Sequence, residues 1–260
     1  MTKKYNSPPD TELLTVKLYL HFYDKSLYQP TEKSISKLCK DELKKFTSYS
    51  NKRKKEFLLG RLLLRFAIQQ QNNNFINPLH TIERDGLPPL VPFAEKNNLY
   101  FNISHSHCVV GVSIVETNNE ILLGLDIEHM KPVKNFATTD FFCNENQIKN
   151  ISNKRDSHKK MMLYYHYWTQ KEAYIKSQGK GIFSSNIKEL EFFPSQNIVN
   201  TTLSTTEISK KHAAQDHYKT SIYCSKPHQL ETRVSTINKA GIFSQTQKIN
   251  PHWQTFSLRK

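Results

Sequence analysis

Hydrophobic and polar positions along this chain switch between two periods, and the switches mark its elements. "LLTVKLYLHFY" (Leu13–Tyr23) alternates closely enough to predict a strand. From Thr31 to Gln71 the apolar spacing becomes helical, with a break near "TSYSN" that predicts two helices. A turn-rich connection follows, carrying Pro78, Gly86, Pro88, Pro89 and Pro92. "LYFNISHSHCVVGVSIV" and "EILLGLDIEHM", joined through "ETNNE", are β-type segments that predict a strand pair. "FATTDFFCNENQIKNI" predicts a loop leading into a short helix, and "NKRDSHKK" precedes a long helix ending at Gly179 or Gly181. Beyond Ile182 the chain is rich in Ser, Thr, Asn and Gln, with strands expected at "HYKTSIYCS" and near "VSTI" and a frayed end.

Two of these elements carry acids where the pattern calls for apolar residues. At about 100° per residue from Met161, Tyr164, Tyr165, Trp168 and Ile175 fall on one side of the long helix. Glu172 lies in the middle of that stripe and Lys176 at its margin. Such a carboxylate is costly to bury unless something positive meets it. A solvated Glu–Lys pair one turn apart is the other reading, and the aromatic stripe argues against it. In "ILLGLDIE", Ile121, Leu123, Leu125 and Ile127 form one strand face and Leu122, Gly124, Asp126 and Glu128 the other. The two acids project about 6–7 Å apart, and Gly124 leaves room for something to approach the backbone. Neighbouring carboxylates repel unless a cation sits between them, and Mg²⁺ with phosphate oxygens suits such a pair. A strand end releasing charge into solvent is the alternative, weakened by Glu172 as a third acid. In "NISHSHC", His105 is flanked by the hydroxyls of Ser104 and Ser106. Zinc with His107 and Cys108, a lone satisfied histidine, and a phosphate or ribose contact all stay open, although the spacing matches no usual zinc pattern.

Charge adds a partner class. The formal net charge of +14 favours a polyanion: nucleic acid, anionic membrane, phosphorylated cofactor or acidic protein. Lys52 to Lys55 open a helix where cations oppose its dipole, so a ligand role competes with a solvated basic turn. No apolar run is long enough to span a membrane, and "MTKKYNSPPD" lacks the core of a signal peptide. Cys39, Cys108, Cys143 and Cys224 are scattered as reduced thiols would be, so a cytoplasmic location is expected. P-loop, dinucleotide-fold and nucleophile-elbow motifs are missing from the sequence. A basic metal-dependent nucleic-acid-binding protein or nuclease would account for charge and acids. It leaves Trp168 and Lys171 unexplained and shows no module signature.

Taken in order, "GRLLLR", "FNISHS", "GLDIEHMKPV", "FFCNENQI" and "WTQKEAYIKSQGKGI" resemble the Sfp-type 4′-phosphopantetheinyl transferases, from about Lys52 to Ile182. That family moves the 4′-phosphopantetheine arm of coenzyme A to a serine of an apo carrier protein, releasing 3′,5′-adenosine bisphosphate. The resemblance implies an α+β fold, a pseudo-dimer of two similar halves, each a small antiparallel sheet packed against a long helix. The junction is expected between Thr117 and Gly124, giving halves at 1–120 and 121–260. Asp126, Glu128 and Glu172 match the family's magnesium acids, with manganese as a substitute ion. Lys176 and Lys171 match phosphate-facing lysines, and Glu172 is the implied base for the carrier serine. Ser104 and His105 match contacts to the 3′-phosphate side of coenzyme A. Arg84 and one of Lys52 or Arg53 match cations gripping the nucleotide end. Where the family often has G-K-P, this chain reads Gly86-Leu87-Pro88, and Arg84 is the expected compensation. The implied partners are coenzyme A and an acidic apo acyl or peptidyl carrier protein, with no nucleic acid, no membrane and a monomeric state.

Overall fold

The computed structural model describes residues 13–72, 79–84, 88–133, 136–181, 186–204, 216–226, 228–237, 243–249 and 254–258. Leu87, the departure from the family pattern, lies outside them, as do Gly86 and the N-terminal stretch.

Strand β1 (Leu14–Phe22) is apolar on both faces: Val16, Leu18 and Leu20 enter one core and Tyr19 another. The helical region resolves into α1 (Glu32–Ile35), α2 (Lys40–Ser48) and α3 (Asn51–Gln71), so the expected pair gains a short capped turn at Thr31. The break falls at Tyr49 and Ser50, both extended. Buried nearly all round from Glu56 to Ile68, α3 is anchored by ions as well as by apolar packing. Arg65 pairs with the fully buried Glu42, and Arg61 donates two hydrogen bonds through Nη2 to the Glu83 carboxylate, at 2.7 and 2.9 Å. Helix α4 (Pro92–Lys96) leads into the next strand.

The predicted strand pair is revised. "LYFNISHSHCVVGVSIV" folds on itself as β2 (Leu99–Ser106) and β3 (Val109–Glu116), turning at His107, whose φ is 51°. Residues 117–122 then carry the chain into another layer, where β4 (Leu123–His129) pairs with a later strand rather than with β3. A short 3₁₀ turn, α5 (Thr139–Phe142) and α6 (Glu145–Ser152) precede the long α7 (Ser157–Ser177), which opens on an Asp156 cap and stops before Gly179 at φ 62°. The rest is β: β5 (Phe192–Ser204), β6 (His217–Cys224), β7 (His228–Ile237), β8 (Phe243–Ile249) and β9 (Gln254–Leu258). The stretch expected to fray thus contributes two strands.

The fold is α+β with two sheets, ordered β2-β3-β1-β7-β8 and β4-β6-β5-β9. Only the second is wholly antiparallel. In the first, β7 runs parallel to β1, because most of the chain separates them and no hairpin imposes the opposite sense. After β6 the chain returns to the first sheet, so the two layers are not consecutive halves of the sequence. Helix α3 covers the outer face of the first sheet, and the inner core is shared between the sheets by Leu18, Leu20, Leu125, Ile127, Tyr218 and Ile222. Helix α7 lies on the outer face of the second sheet, with Ala173 against Ile198 and Tyr223.

What approaches Gly124 is that helix. A Cβ there would stand 1.8 Å from the carbonyl oxygen of Ala173, which is backbone and cannot swing aside. Gly124→Ala is therefore expected to cost at least about 2 kcal/mol through overpacking, read as a drop in the urea midpoint. An unaltered midpoint would mean that α7 is not seated on β4.

Candidate active site

Strands β2 and β4 are terminal strands of different sheets, and no backbone ladder joins them. Their open edges meet through side chains instead. Asn102 Nδ2 donates to the carbonyl of Leu123 at 3.3 Å, Ser104 Oγ accepts the N–H of Ile127 at 3.2 Å, and Ser106 Oγ accepts that of His129 at 2.9 Å. Alternate residues of the "NISHS" strand thus satisfy buried backbone groups that would otherwise be costly. Each serine spends its own proton on a neighbouring acid: Ser104 donates to Asp126 Oδ1 at 3.3 Å and Ser106 to Glu128 Oε2 at 3.0 Å.

Helix α7 closes the other side. Trp168 Nε1 donates to Glu128 Oε1 at 3.3 Å, and Lys176 Nζ donates to Asp126 Oδ1 at 2.5 Å and to Ser104 Oγ at 3.3 Å. The aromatic stripe has a structural partner: the rings of Tyr164 and Trp168 stand edge-on to Phe142, at 5.2 and 5.1 Å between centroids. Packing that stripe on α5 and α6 turns Glu172 and Lys176 toward β4.

The acids are short of positive charge. Asp126 is 2 % exposed, and its Oδ2 is buried without a hydrogen-bond partner. Burial, and then the Asp126 charge, push Glu128 up to about 7 against the pull of Trp168, Ser106 and Lys176. Burial also raises Glu172, with Lys176 opposing and Asp126 adding. Burial alone would lower Lys176, but Asp126 and Glu172 outweigh it and hold the ammonium firmly charged. An orphaned carboxylate oxygen beside two acids driven toward protonation fits a divalent cation. The three acids stand apart rather than clustered around one point: among the described residues only His107, His129 and Asp216 bring three ligand atoms within 4.8 Å of one another.

Beside Lys176 opens a cleft of about 490 Å³, walled by Arg53, Arg61, Arg84, Ser104 and His105. It shares Arg84, Pro88, Asn102 and Lys176 with a second hollow of about 520 Å³. Burial and the cations Arg53, Lys176 and Arg61 hold His105 down to about 3, so its ring is neutral among positive charges. Its Nε2 touches Arg53 Nη1, and its Nδ1 lies 3.6 Å from Glu56 Oε2. Of the two candidate cations opening α3, Arg53 reaches His105 while Lys52 stays exposed on the same turn. Arg84 Nε donates to the Pro88 carbonyl at 2.9 Å, at the rim of the cleft. Glu56 and Arg61 belong to this wall, and "GRLLLR" already carried Arg61, but a buried arginine in an apolar helix reads equally as a structural ion pair. Asn102 and Ser106 were visible as polar residues alternating along an otherwise apolar strand.

Lys171 requires correction as a phosphate contact. Its side chain is fully buried on the far side of α7, donating to the carbonyls of Phe142 at 2.6 Å and Lys188 at 3.3 Å and to Gln147 Oε1 at 2.8 Å. Burial lowers it to about 8. It pins α5 and α6 to α7.

A sequence profile of the 4′-phosphopantetheinyl transferase superfamily matches residues 122–231. The 4′-phosphopantetheinyl transferase ffp of Bacillus subtilis is 29% identical over 170 residues, covering 64% of this chain and 72% of its own. The Sfp transferase of Bacillus subtilis strain 168 is 26% identical over 169 residues, with the same two coverages, 64% and 72%. The gsp transferase of Aneurinibacillus migulanus is 33% identical over 150 residues, 57% of this chain and 59% of its own. Residues 122–231 are thus similar to the 4′-phosphopantetheinyl transferase superfamily, and the relatives that this chain resembles are named as transferase enzymes.

Two outcomes follow from this geometry. Lys171→Ala is expected to cost roughly 3 kcal/mol by stranding buried acceptors, read as a drop in the urea midpoint. An unaltered midpoint would mean that Lys171 does not pin α5 and α6 to α7. Without divalent cations, stability is expected to fall as pH rises from about 4.5 to about 7. Over that range the unfolded chain has released the Glu128 proton and the folded chain still holds it. Glu128→Gln should flatten that slope in urea titrations across pH, and an identical slope would assign the effect to another group.

Proposed function

We propose that this protein transfers the 4′-phosphopantetheine arm of coenzyme A to a serine of an apo carrier protein, with release of 3′,5′-adenosine bisphosphate. The carrying observation is the Lys176 ammonium shared between Asp126 and Ser104 at the wall of a cleft lined by arginines. In this reading Arg53, Arg84, Lys52 and His105 hold the nucleotide end, whose phosphates answer the excess of cations over the single acid Glu56 at the cleft. Asp126, Glu128 and Glu172 hold Mg²⁺ or Mn²⁺, and the bound ion supplies neutralisation of charge on the pyrophosphate oxygens. Lys176 turns part of its donor capacity to the same phosphates. Glu172, made more basic by burial, takes the proton of the carrier serine as its Oγ bonds to phosphorus and the bond to the nucleotide phosphate breaks.

The pseudo-dimer belongs to this proposal and is supported by one 21-residue helix on each sheet, α3 on the first and α7 on the second. The net charge of +14 suits an acidic carrier as a steering term. Phe141, 44% exposed, and the half-buried Ile148 offer an apolar landing for a carrier helix, whereas Phe142 is taken up beneath α7. A cytoplasmic monomer is the setting proposed for this activity. No helix among the described residues is long and apolar enough to cross a membrane.

Intact-mass spectrometry of an apo carrier domain incubated with the protein, coenzyme A and Mg²⁺ tests the reaction. One phosphopantetheine arm should be gained, and none when EDTA is present or the carrier serine is replaced. No gain across carriers of the fatty-acid, polyketide and nonribosomal peptide types would overturn the assignment. Asp126→Ala and Glu172→Ala should each reduce transfer by at least about 10²-fold with the fold intact. Lys176→Ala should lower kcat and raise KM for coenzyme A, and its loss should not add simply to that of Glu172→Ala. Wild-type rates in the Asp126 or Glu172 variant would remove the acids from the mechanism.

A further inference from the structure

At the ends of β2, β4 and β6 sits a second cluster that the proposed chemistry does not use. His107 occupies the β2–β3 turn, His129 ends β4, and Asp216 precedes β6. The two imidazoles stack in parallel, 4.3 Å between centroids and 9° between planes. Both present a nitrogen to the same carboxylate, His129 Nε2 at 2.9 Å from Oδ1 and His107 Nε2 at 3.9 Å from Oδ2. All three ligand atoms lie within 4.8 Å of one another.

We propose that His107, His129 and Asp216 form a binding site for a zinc-class divalent ion, separate from the acids facing Lys176. Ligands about 2.0–2.1 Å from a tetrahedral ion stand about 3.3 Å from one another. The two observed nitrogen–oxygen distances bracket that value, and the site closes when the stacked rings turn about their Cβ–Cγ bonds so that the plane of each contains the ion. Two imidazoles and a carboxylate suit Zn²⁺ and its neighbours in the transition series. Mg²⁺ prefers an all-oxygen set. Three protein ligands leave a fourth position for water or an outside donor.

The site is held by its scaffold. The φ of 51° at His107 turns the chain so that this ring comes to lie over His129, and the His217 carbonyl accepts the Met130 N–H at 2.8 Å, fixing β6 beside β4. Lys25 is the competitor. Its Nζ lies 3.0 Å from His107 Nδ1, and donation there leaves the ring proton on Nε2, the nitrogen an ion requires. Binding moves that proton to Nδ1 and releases Lys25. The site also touches the catalytic region through one hydroxyl: Ser106 accepts the His129 N–H and donates to Glu128. An ion at His129 fastens the strand end that carries Glu128.

Equilibrium dialysis of the untagged full chain against Zn²⁺, followed by metal analysis, tests the site. Wild type should hold one more zinc per chain than His107→Asn or Asp216→Asn, and Asp126→Asn one more than the double variant Asp126→Asn with His107→Asn. Asparagine keeps the tolerance for positive φ at position 107. Equal zinc in wild type and His107→Asn, or in Asp126→Asn and that double variant, would overturn the proposal. Lys25→Met leaves all three ligands in place and should tighten zinc binding several-fold. An unchanged or weaker affinity would overturn the assignment of His107 Nε2. Co²⁺ bound to wild type should show visible bands typical of tetrahedral nitrogen and oxygen ligation, and featureless spectra would count against the site.

Discussion

The contact between β2 and β4 is the constraint on which the rest of this protein depends. Two sheet edges face each other in the interior without a shared ladder, and exposed edge groups buried there would be unfavourable. Asn102, Ser104 and Ser106 supply the missing partners from one strand face. Because the same serines donate onward to Asp126 and Glu128, the bonds that hold the sheets together also aim the acids. A substitution on this strand would therefore disturb the sheet contact and the candidate site together.

Cations in this chain divide by what surrounds them. Arg61 and Arg65 meet Glu83 and Glu42 in a nearly dry network that fixes α3 against α2 and the 79–84 connection. Lys171 spends its donors on carbonyls and an amide oxygen. Arg53, in contrast, meets a neutral His105 at a cleft. The acids show the complementary imbalance, since Asp126 keeps an unmatched buried oxygen while Glu128 is driven toward protonation. Excess positive charge at the cleft and unmet negative charge beside it suit an anionic ligand bound together with a cation.

Periodicity located β1, the start of α3, β6 and the long α7 closely, because each of these elements buries a continuous apolar face. It failed where one alternating run holds two strands: nothing local distinguishes His107 at positive φ from the strand residues on either side. Lys171 and Lys176 lie five positions apart on one helix, and the family resemblance gave both to phosphate. Which of them faces β4 depends on the aromatic stripe being covered by α5 and α6, a contact between segments that periodicity does not describe. The parallel pairing of β1 with β7 is long-range in the same sense.

By itself the sequence determined β1, the start of α3, β6 and the long α7, the acidic face of β4, the Glu172–Lys176 spacing on α7 and a family resemblance, all of which rest on short-range order along the chain. Tertiary structure alone decided that α7 packs on Gly124, that the "NISHS" hydroxyls close the β4 edge, and that His107, His129 and Asp216 converge. These depend on which faces meet once the apolar surfaces are buried. A strand or helix pattern specifies the face, but its partner is chosen by packing the whole chain at once.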